Sequence, residues 1–436
     1  MSLSLIIFGI TSNLAQKYLL PALYDLEEKG LLPENTSIIG VARSPKEEGW
    51  IQEHLDLTLS KENLHHKHTI QDPVKQALLK RLHYLNGHLD DPEFYQRLHK
   101  KLTDLNSKNL IFYLATYPEL YQAIFQNLKD SKLHKSKTGF VRLMIEKPFG
   151  QDLNSAKALN KLLHQFFEEN QIYRLDHYLG KETLRGILEF RFKTSSNLQP
   201  LIDSRHIDHI QVTAIENFGI GERGAFYDRV GALKDVGQNH LLQMLTAATM
   251  DKPAKFTNEE VTSERIKILK KLTPLKDSVV FGQYQGYLSE KNVNPSSKTE
   301  TFFALKTFIN NDRFKDIPIY IRAGKKLAQT LTEVVIVFKQ GEPKLLRFKI
   351  QPEEQLLMSQ DPYEALILDA IRGDQTFFND AEEVEIQWAF IDPLASKKGQ
   401  PIIYQPGTDG PKEADLLIRR DGRSWAGTQT SDFSKT

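Results

Sequence analysis

The chain has 436 residues, no cysteine, and acids and bases balanced to a formal charge of +1. Its length predicts about two or three domains, and 24 Phe and 15 Tyr are enough aromatic residues to fill large cores. Disulfides, thiolate catalysis and thiolate-held zinc or iron–sulfur centres are excluded, the near-zero charge argues against nucleic-acid or polybasic membrane binding, and no apolar run reaches the ~18 residues of a membrane span.

The start, MSLSLIIFGI, has no basic leader region and reads as a buried strand over Leu3 to Phe8, followed by Gly9. Thr11, Ser12 or Asn13 can cap the next helix, which carries Leu14, Tyr18 and Leu23 on one side. Pro21 should kink or divide that helix, and Gly30 with Pro33 should end it. A second strand, Ser37 to Ala42, completes a β-α-β unit, the usual seat of a dinucleotide. Its turn, GITSNLA, has one of the three glycines of the full fingerprint, but a helix start with a serine hydroxyl still suits phosphate. Arg43 follows the second strand, where an acid would favour NAD and an arginine accommodates the 2′-phosphate of NADP. Gly9, Thr11, Ser12 and Arg43 are therefore the candidate cofactor contacts.

Glu47 to Ser107 is charged and reads as mostly helical. Its LHHKH run (His65, His66, His68) lacks the carboxylate or i, i+4 spacing of a metal site and reads as an exposed polar stretch. Asn109 to Ala115 and Phe140 to Glu146 are further strands, with a helix from Pro118 to about Lys129 between them. Lys147-Pro148 then sets a lysine at the carboxyl edge of the sheet, where ligands sit in open α/β folds. Asp152 to Glu169 reads as a helix with Leu159, Leu162, Leu163 and Phe166 inward, and Gln171 to Leu175 as a strand. This alternation predicts a Rossmann-like, doubly wound α/β domain over 1–175.

The next residues close YRLDHYLGKE, Tyr173 to Glu182, which gathers Asp176, His177, Tyr178 and Lys181 where a strand passes into a helix, Lys181 to Phe192. A lysine beside the positive end of a helix favours an anion there, with phosphate the obvious one. Alone, the stretch also reads as an exposed turn. After Gln199-Pro200 the texture changes. Ile207 to Glu216 alternates as an antiparallel strand, and Gly219, Gly221 and Gly224 form a loop. A long helix from Val230 to Met250 puts Leu233, Gly237, His240 and Met244 on one side. His240 then borders an apolar stripe, with Asp235, Gln238 and Asn239 around it and Gly237 clearing space; a core histidine is the competing reading. Strand-like runs follow at Ser278–Gln285, Thr301–Ile309, Pro318–Arg322, Thr332–Phe338 and Leu345–Ile350, then helices at Pro362–Ile371 and Asp380–Phe390. They predict an α+β domain over 176–436 on one large, mainly antiparallel sheet, with a frayed end from Thr428.

RLDHYLGKE, with IEKPFG before it and QNHLLQ after it, resembles the signature set of glucose-6-phosphate dehydrogenase, and the likeness runs on through IRAGKKL to ADLLIRRDGRSWAG. The resemblance implies oxidation of D-glucose 6-phosphate to 6-phospho-glucono-1,5-lactone with hydride transfer to NADP, the entry step of the oxidative pentose phosphate pathway. It implies His240 as the base and Asp176 as its orienting carboxylate, a pairing that suits imidazole chemistry at neutral pH. By the same likeness His177, Tyr178 and Lys181 hold the 6-phosphate. Lys147, Glu216, Asp235 and Lys325 contact the sugar, and Lys147 also lies near the nicotinamide. No metal is called for. A cytoplasmic homodimer or dimer of dimers is implied, with no nucleic-acid or membrane partner.

The chain departs from the family pattern in four places. Ser12 and Asn13 replace the second Gly and the Asp of G-x-x-G-D-L-A, Tyr18 replaces a common lysine, Thr330 a common basic residue, and the segment after Ile350-Gln351-Pro352 is short. Weaker cofactor and substrate binding is the expected result, with the reaction kept. A non-catalytic relative that binds nucleotide or sugar phosphate as a regulator is the alternative, favoured by the altered loop and opposed by His240, Asp176 and Lys147. A different E-K-P-bearing sugar dehydrogenase would leave HYLGK unexplained.

Overall fold

Apolar runs buried on both faces build the first sheet of this computed structural model, which describes residues 2–47, 49–60, 70–192, 199–341, 344–350, 361–397 and 399–427. Strands β1 (Leu3–Phe8), β2 (Thr36–Ala42), β3 (Leu82–Asn86), β4 (Asn109–Leu114), β5 (Val141–Glu146) and β6 (Ile172–Leu175) pair in the order β3-β2-β1-β4-β5-β6, all parallel. β1 and β4 are buried at every position, as central parallel strands require. The order reverses between them, which makes their carboxyl ends the switch point of the sheet. Pro21 sits where its helix changes winding: a π-helical turn, Ala15–Leu19, runs directly into the α-helix Leu20–Glu28, with the Leu20 N–H bonded to Ala15 O and Pro21 next to it lacking an N–H.

Several expectations need correction. The stretch read as mostly helical hides β3, an edge strand that follows the helix Asp72–Arg81 with no turn residue between, and whose LHYLN is only partly buried. The helix expected to reach Glu169 ends at His164, because Phe166 and Phe167 turn into the core and Glu168 with Gln171 caps a 3-10 turn, Glu169–Gln171. His65, His66 and His68 lie outside the described residues.

The second sheet comprises β7 (Ile207–Ile215), β8 (Val279–Tyr284), β9 (Phe302–Thr307), β10 (Ile319–Gly324), β11 (Leu331–Phe338), β12 (Leu345–Lys349) and β13 (Ile402–Tyr404). Their order is β12-β11-β7-β10-β9-β8-β13. It is mainly antiparallel, but β7 runs parallel to β10, and β13 parallel to β8. β7 does not alternate in burial as expected. Its polar residues His209, Gln211 and Thr213 are buried too, because the chain near its end covers them: Gln211 donates to Ser424 O at 2.9 Å and accepts from the Ala426 N–H at 2.8 Å. The helices Asn258–Leu269 and Lys412–Arg419, and β13, were not anticipated.

The long helix expected from Val230 starts earlier and changes winding. An α-helix, Gly224–Ala232, is interrupted at Gly231 (φ 76°, ψ 171°), a π-helical stretch spans Leu233–Leu241, and an α-helix follows over Leu242–Thr249. By contacts the chain forms two compact units, one of Met1–Gly150, Lys157–Glu182 and Glu353–Ala381, the other of Gln151–Ala156, Thr183–Pro352 and Glu382–Thr436. Among the described residues no helix is long and apolar enough to cross a membrane.

In the second unit Arg265 and Glu383 form a two-pronged ion pair, at 2.7 and 3.0 Å, with side chains 2% and 0% exposed. Arg265→Leu should cost about 3–5 kcal/mol by stranding the carboxylate, and adding Glu383→Leu should restore most of it. Urea unfolding of both variants checks this; a double variant no better than the single would contradict it.

Candidate active site

In the first unit the candidate residues lie at the carboxyl edge of the sheet. Gly9 ends β1 with φ +100°, and a Cβ there would fall 2.3 Å from Ala115 O, so only glycine permits this close approach. Of the three possible capping residues, Ser12 takes the role: its Oγ accepts the Ala15 N–H at 3.1 Å. Thr11 is its exposed neighbour, and Arg43 is exposed just past β2. Tyr18 stacks on Tyr363 with ring centres 5.1 Å apart.

Strand register explains the next group. Glu146 pairs with Leu175, so Lys147 and Asp176 leave neighbouring parallel strands side by side. Asp176 is fully buried, and its Oδ1 accepts the Tyr178 N–H at 2.9 Å, capping a single helical turn, His177–Gly180. The His177 and Tyr178 rings meet edge to face at 5.0 Å, and Lys181 Nζ lies 4.1 Å from the centre of the Tyr178 ring. Lys181 was expected to open the following helix. It instead closes the short turn, where its charge suits the negative end, and Glu182–Phe192 forms a separate helix. Gly180 packs against Pro362 and Leu366 of the helix Pro362–Arg372, which gives the turn a floor.

One member of this edge escaped the sequence reading. The Tyr113 hydroxyl, at the paired end of β4, donates to the carboxylate of Glu146. Burial, with a smaller push from Asp176, raises the Glu146 carboxyl to about 7 against the opposing pull of Tyr113 and Lys147. The available signal was an acid next to the lysine of E-K-P, at the end of a strand buried on both sides.

The second unit repeats the register device. Ile215 pairs in parallel with Gly324, so Glu216 and Lys325 emerge adjacent and form an ion pair. Lys325 is 7% exposed, its Nζ 5.4 Å from the Phe218 ring and 5.5 Å from the Tyr227 ring. Asp235 and His240 both belong to the π-helical stretch. His240 is 4% exposed, with its main-chain nitrogen 2.5 Å from Asn239 Oδ1, and Asp235 faces Arg223 at 3.5 Å. Gln238 turns instead to Gln387, at 3.3 Å, and the space beside Gly237 is filled by the Phe303 ring, so that glycine makes room for core rather than ligand. π-Winding also voids the expected 3.6-residue stripe, and Gly237 to Leu241 is buried on all sides. Thr330, in place of a basic residue, accepts the Asn217 N–H at 3.2 Å and lies 2.9 Å from Asn217 Oδ1.

The two families that match divide the chain at the same helix. One, described as "Glucose-6-phosphate dehydrogenase, NAD binding domain", matches residues 6–186; the other, "Glucose-6-phosphate dehydrogenase, C-terminal domain", matches 188–359 and 342–426. Relatives named glucose-6-phosphate 1-dehydrogenase include that of Chlamydia muridarum, 35% identical over 97% of this chain and 96% of its own length. That of Bacillus subtilis is also 35% identical, over 97% of each. Among solved structures, glucose-6-phosphate 1-dehydrogenase from Mycobacterium avium has a TM-score of 0.87 at 33% identity, covering 99% of this chain and 100% of that one. A glucose-6-phosphate dehydrogenase in complex with its substrate glucose-6-phosphate has a TM-score of 0.89 at 30% identity, covering 98% of both.

Because its carboxyl is raised from the ordinary 4.5 to about 7, folded Glu146 holds a proton that the unfolded chain releases. Its contribution to stability is therefore present below the unfolded value and lost as pH rises through the folded one. Glu146→Gln should flatten that decline and be the more stable protein above about pH 7. Melting temperatures of both proteins across this range check it; parallel curves would refute it.

Proposed function

This chain belongs to the glucose-6-phosphate dehydrogenase family, and on that premise we propose that it oxidises D-glucose 6-phosphate to 6-phospho-glucono-1,5-lactone with NADP as hydride acceptor. The strongest support is the HYLGK turn. A capped single turn that gathers His177, Tyr178 and Lys181 beside Asp176 is chemically matched to a phosphate. These three groups hold the 6-phosphate. His240 takes the proton of the C1 hydroxyl, and Asp176 orients the imidazole and stabilises its cation.

Lys325 and Glu216 hold each other in place, so a sugar hydroxyl between them accepts from the ammonium and donates to the carboxylate. Asp235 serves another hydroxyl, and Lys147 binds both the sugar and the nicotinamide end of the cofactor. The residues fit a dinucleotide: the positive φ of Gly9 in the turn after β1, the helix start capped by Ser12, and an exposed Arg43 after β2. When bound, the nicotinamide supplies the hydride acceptor. Arg43 favours NADP over NAD through the 2′-phosphate. Tyr18 and Thr330 carry no charge, and their side chains pack on or bond to neighbours, so we read them as raising the Michaelis constant rather than stopping turnover. A cytoplasmic homodimer or dimer of dimers belongs to the same reading, on the strength of the family likeness.

The test is reduction of NADP and of NAD with glucose 6-phosphate, wild type beside His240→Asn and Asp176→Asn. Loss of the base should lower kcat on the order of 10²–10⁴-fold, with a smaller effect on the sugar KM. Reduction of NAD alone would overturn the role of Arg43, and oxidation of free glucose as well as the phosphate would overturn that of HYLGK. No turnover with either cofactor would overturn the reaction itself.

A further inference from the structure

The π-helical stretch that carries Asp235 and His240 is held at its start by one buried tripeptide. Ala232 N–H donates to the main-chain oxygen of Glu300 and Leu233 N–H to its Oε1, both at 3.1 Å. Thr299 Oγ1 bonds Asp228 O one turn earlier. The next residue reaches the other side of the sugar pocket's chemistry: Thr301 O accepts the Lys325 N–H at 3.0 Å, and its Oγ1 accepts the Tyr284 N–H at 3.0 Å. Tyr404 bonds both ends of this link, donating to Lys325 O at 2.6 Å and lying 3.0 Å from Thr301 Oγ1. Glu300 is 1% exposed and Thr301 fully buried.

The fit at Glu300 is close. Gly231 has φ +76°, and a Cβ there would lie 2.5–2.6 Å from three atoms of the Glu300 carboxyl group. A helix start has N–H groups with no partner in the helix, and a carboxylate satisfies one of them while favouring its positive end. The carboxylate thus sets the height and rotation of everything that follows in the winding.

We propose that Glu300 is a positioning residue: through Leu233 it registers His240 and Asp235, while its neighbour Thr301 registers Lys325, so that the base and a sugar-binding lysine are set by one three-residue segment. This rests on the roles proposed above for His240 and Lys325. No part of it passes through the proposed cofactor contacts, which belong to the other unit.

The experiment compares wild type, Glu300→Ala, Glu300→Gln, Gly231→Ala and the Gly231→Ala/Glu300→Ala double variant as full chains, with melting temperature measured for each. Glu300→Ala should lower kcat on the order of 10²-fold and raise the KM for glucose 6-phosphate while leaving the KM for NADP unchanged. Glu300→Gln keeps an oxygen acceptor and should recover most of both. Gly231→Ala should copy Glu300→Ala, and the double variant should be no worse than either, since both act on one contact. A kcat that falls only in step with the folded fraction, with the sugar KM unmoved, would overturn the inference, as would Glu300→Gln as impaired as Glu300→Ala. If wild type does not turn over, the proposed reaction fails separately. Calorimetric binding of glucose 6-phosphate then decides the inference: weaker binding by Glu300→Ala supports it, and equal binding overturns it.

Discussion

Parallel pairing in register delivers the chemistry of this chain. Two strands that run the same way end at the same edge, so the residues just past a paired position stand next to each other however far apart they are in sequence. Glu146 against Leu175 brings out Lys147 and Asp176; Ile215 against Gly324 brings out Glu216 and Lys325. In the first sheet every pairing is parallel, and this is the ordinary behaviour of a doubly wound fold. The second sheet is mainly antiparallel, and β7–β10 is one of its two parallel pairings, the one that ends at charged residues. Run antiparallel, those two strands would send Glu216 and Lys325 to opposite edges.

Buried carboxylates then need partners, and the fold finds them in three ways. Asp176 spends one oxygen capping its own helical turn, so its position is tied to the turn that it begins. Glu300 spends one on the helix that carries His240. Glu146 has a tyrosine hydroxyl, and burial outweighs that bond together with the nearby ammonium. At Glu146 the desolvation cost exceeds what the tyrosine hydroxyl, the Lys147 main chain and its ammonium return.

Much of this was legible in the residues. NLIFYLA and LSLIIF read as central strands, and the gathering of Asp176, His177, Tyr178 and Lys181 between a strand and a helix was legible; the separate short turn that Lys181 closes was not. β3 was not legible, because LHYLN continues a helix without a punctuating Gly or Pro and is too little buried to show a strand pattern. The winding of Leu233–Leu241 was missed for a different reason: a 3.6-residue period was assumed where the ladder is π-helical, and periodicity has no signature for that change. The Glu216–Lys325 pair and the Glu300 contact join residues far apart in sequence, so neither could be read without the strand register. β7 looked amphipathic because its polar side chains are real; the residues that cover them come some two hundred positions later.

The floor beneath the HYLGK turn is also supplied late. Gly180 rests on Pro362 and Leu366, and Arg174, just before the turn, bridges to Asn379. The amino-terminal unit therefore includes Glu353–Ala381, a segment made only after most of the second sheet. During synthesis on a ribosome, β1 to β6 emerge first but lack the helix that supports their most polar corner. The nascent chain carries that corner without its support until Pro362 and Leu366 have followed β7 to β12, so the order of translation differs from the order in which this unit can be completed.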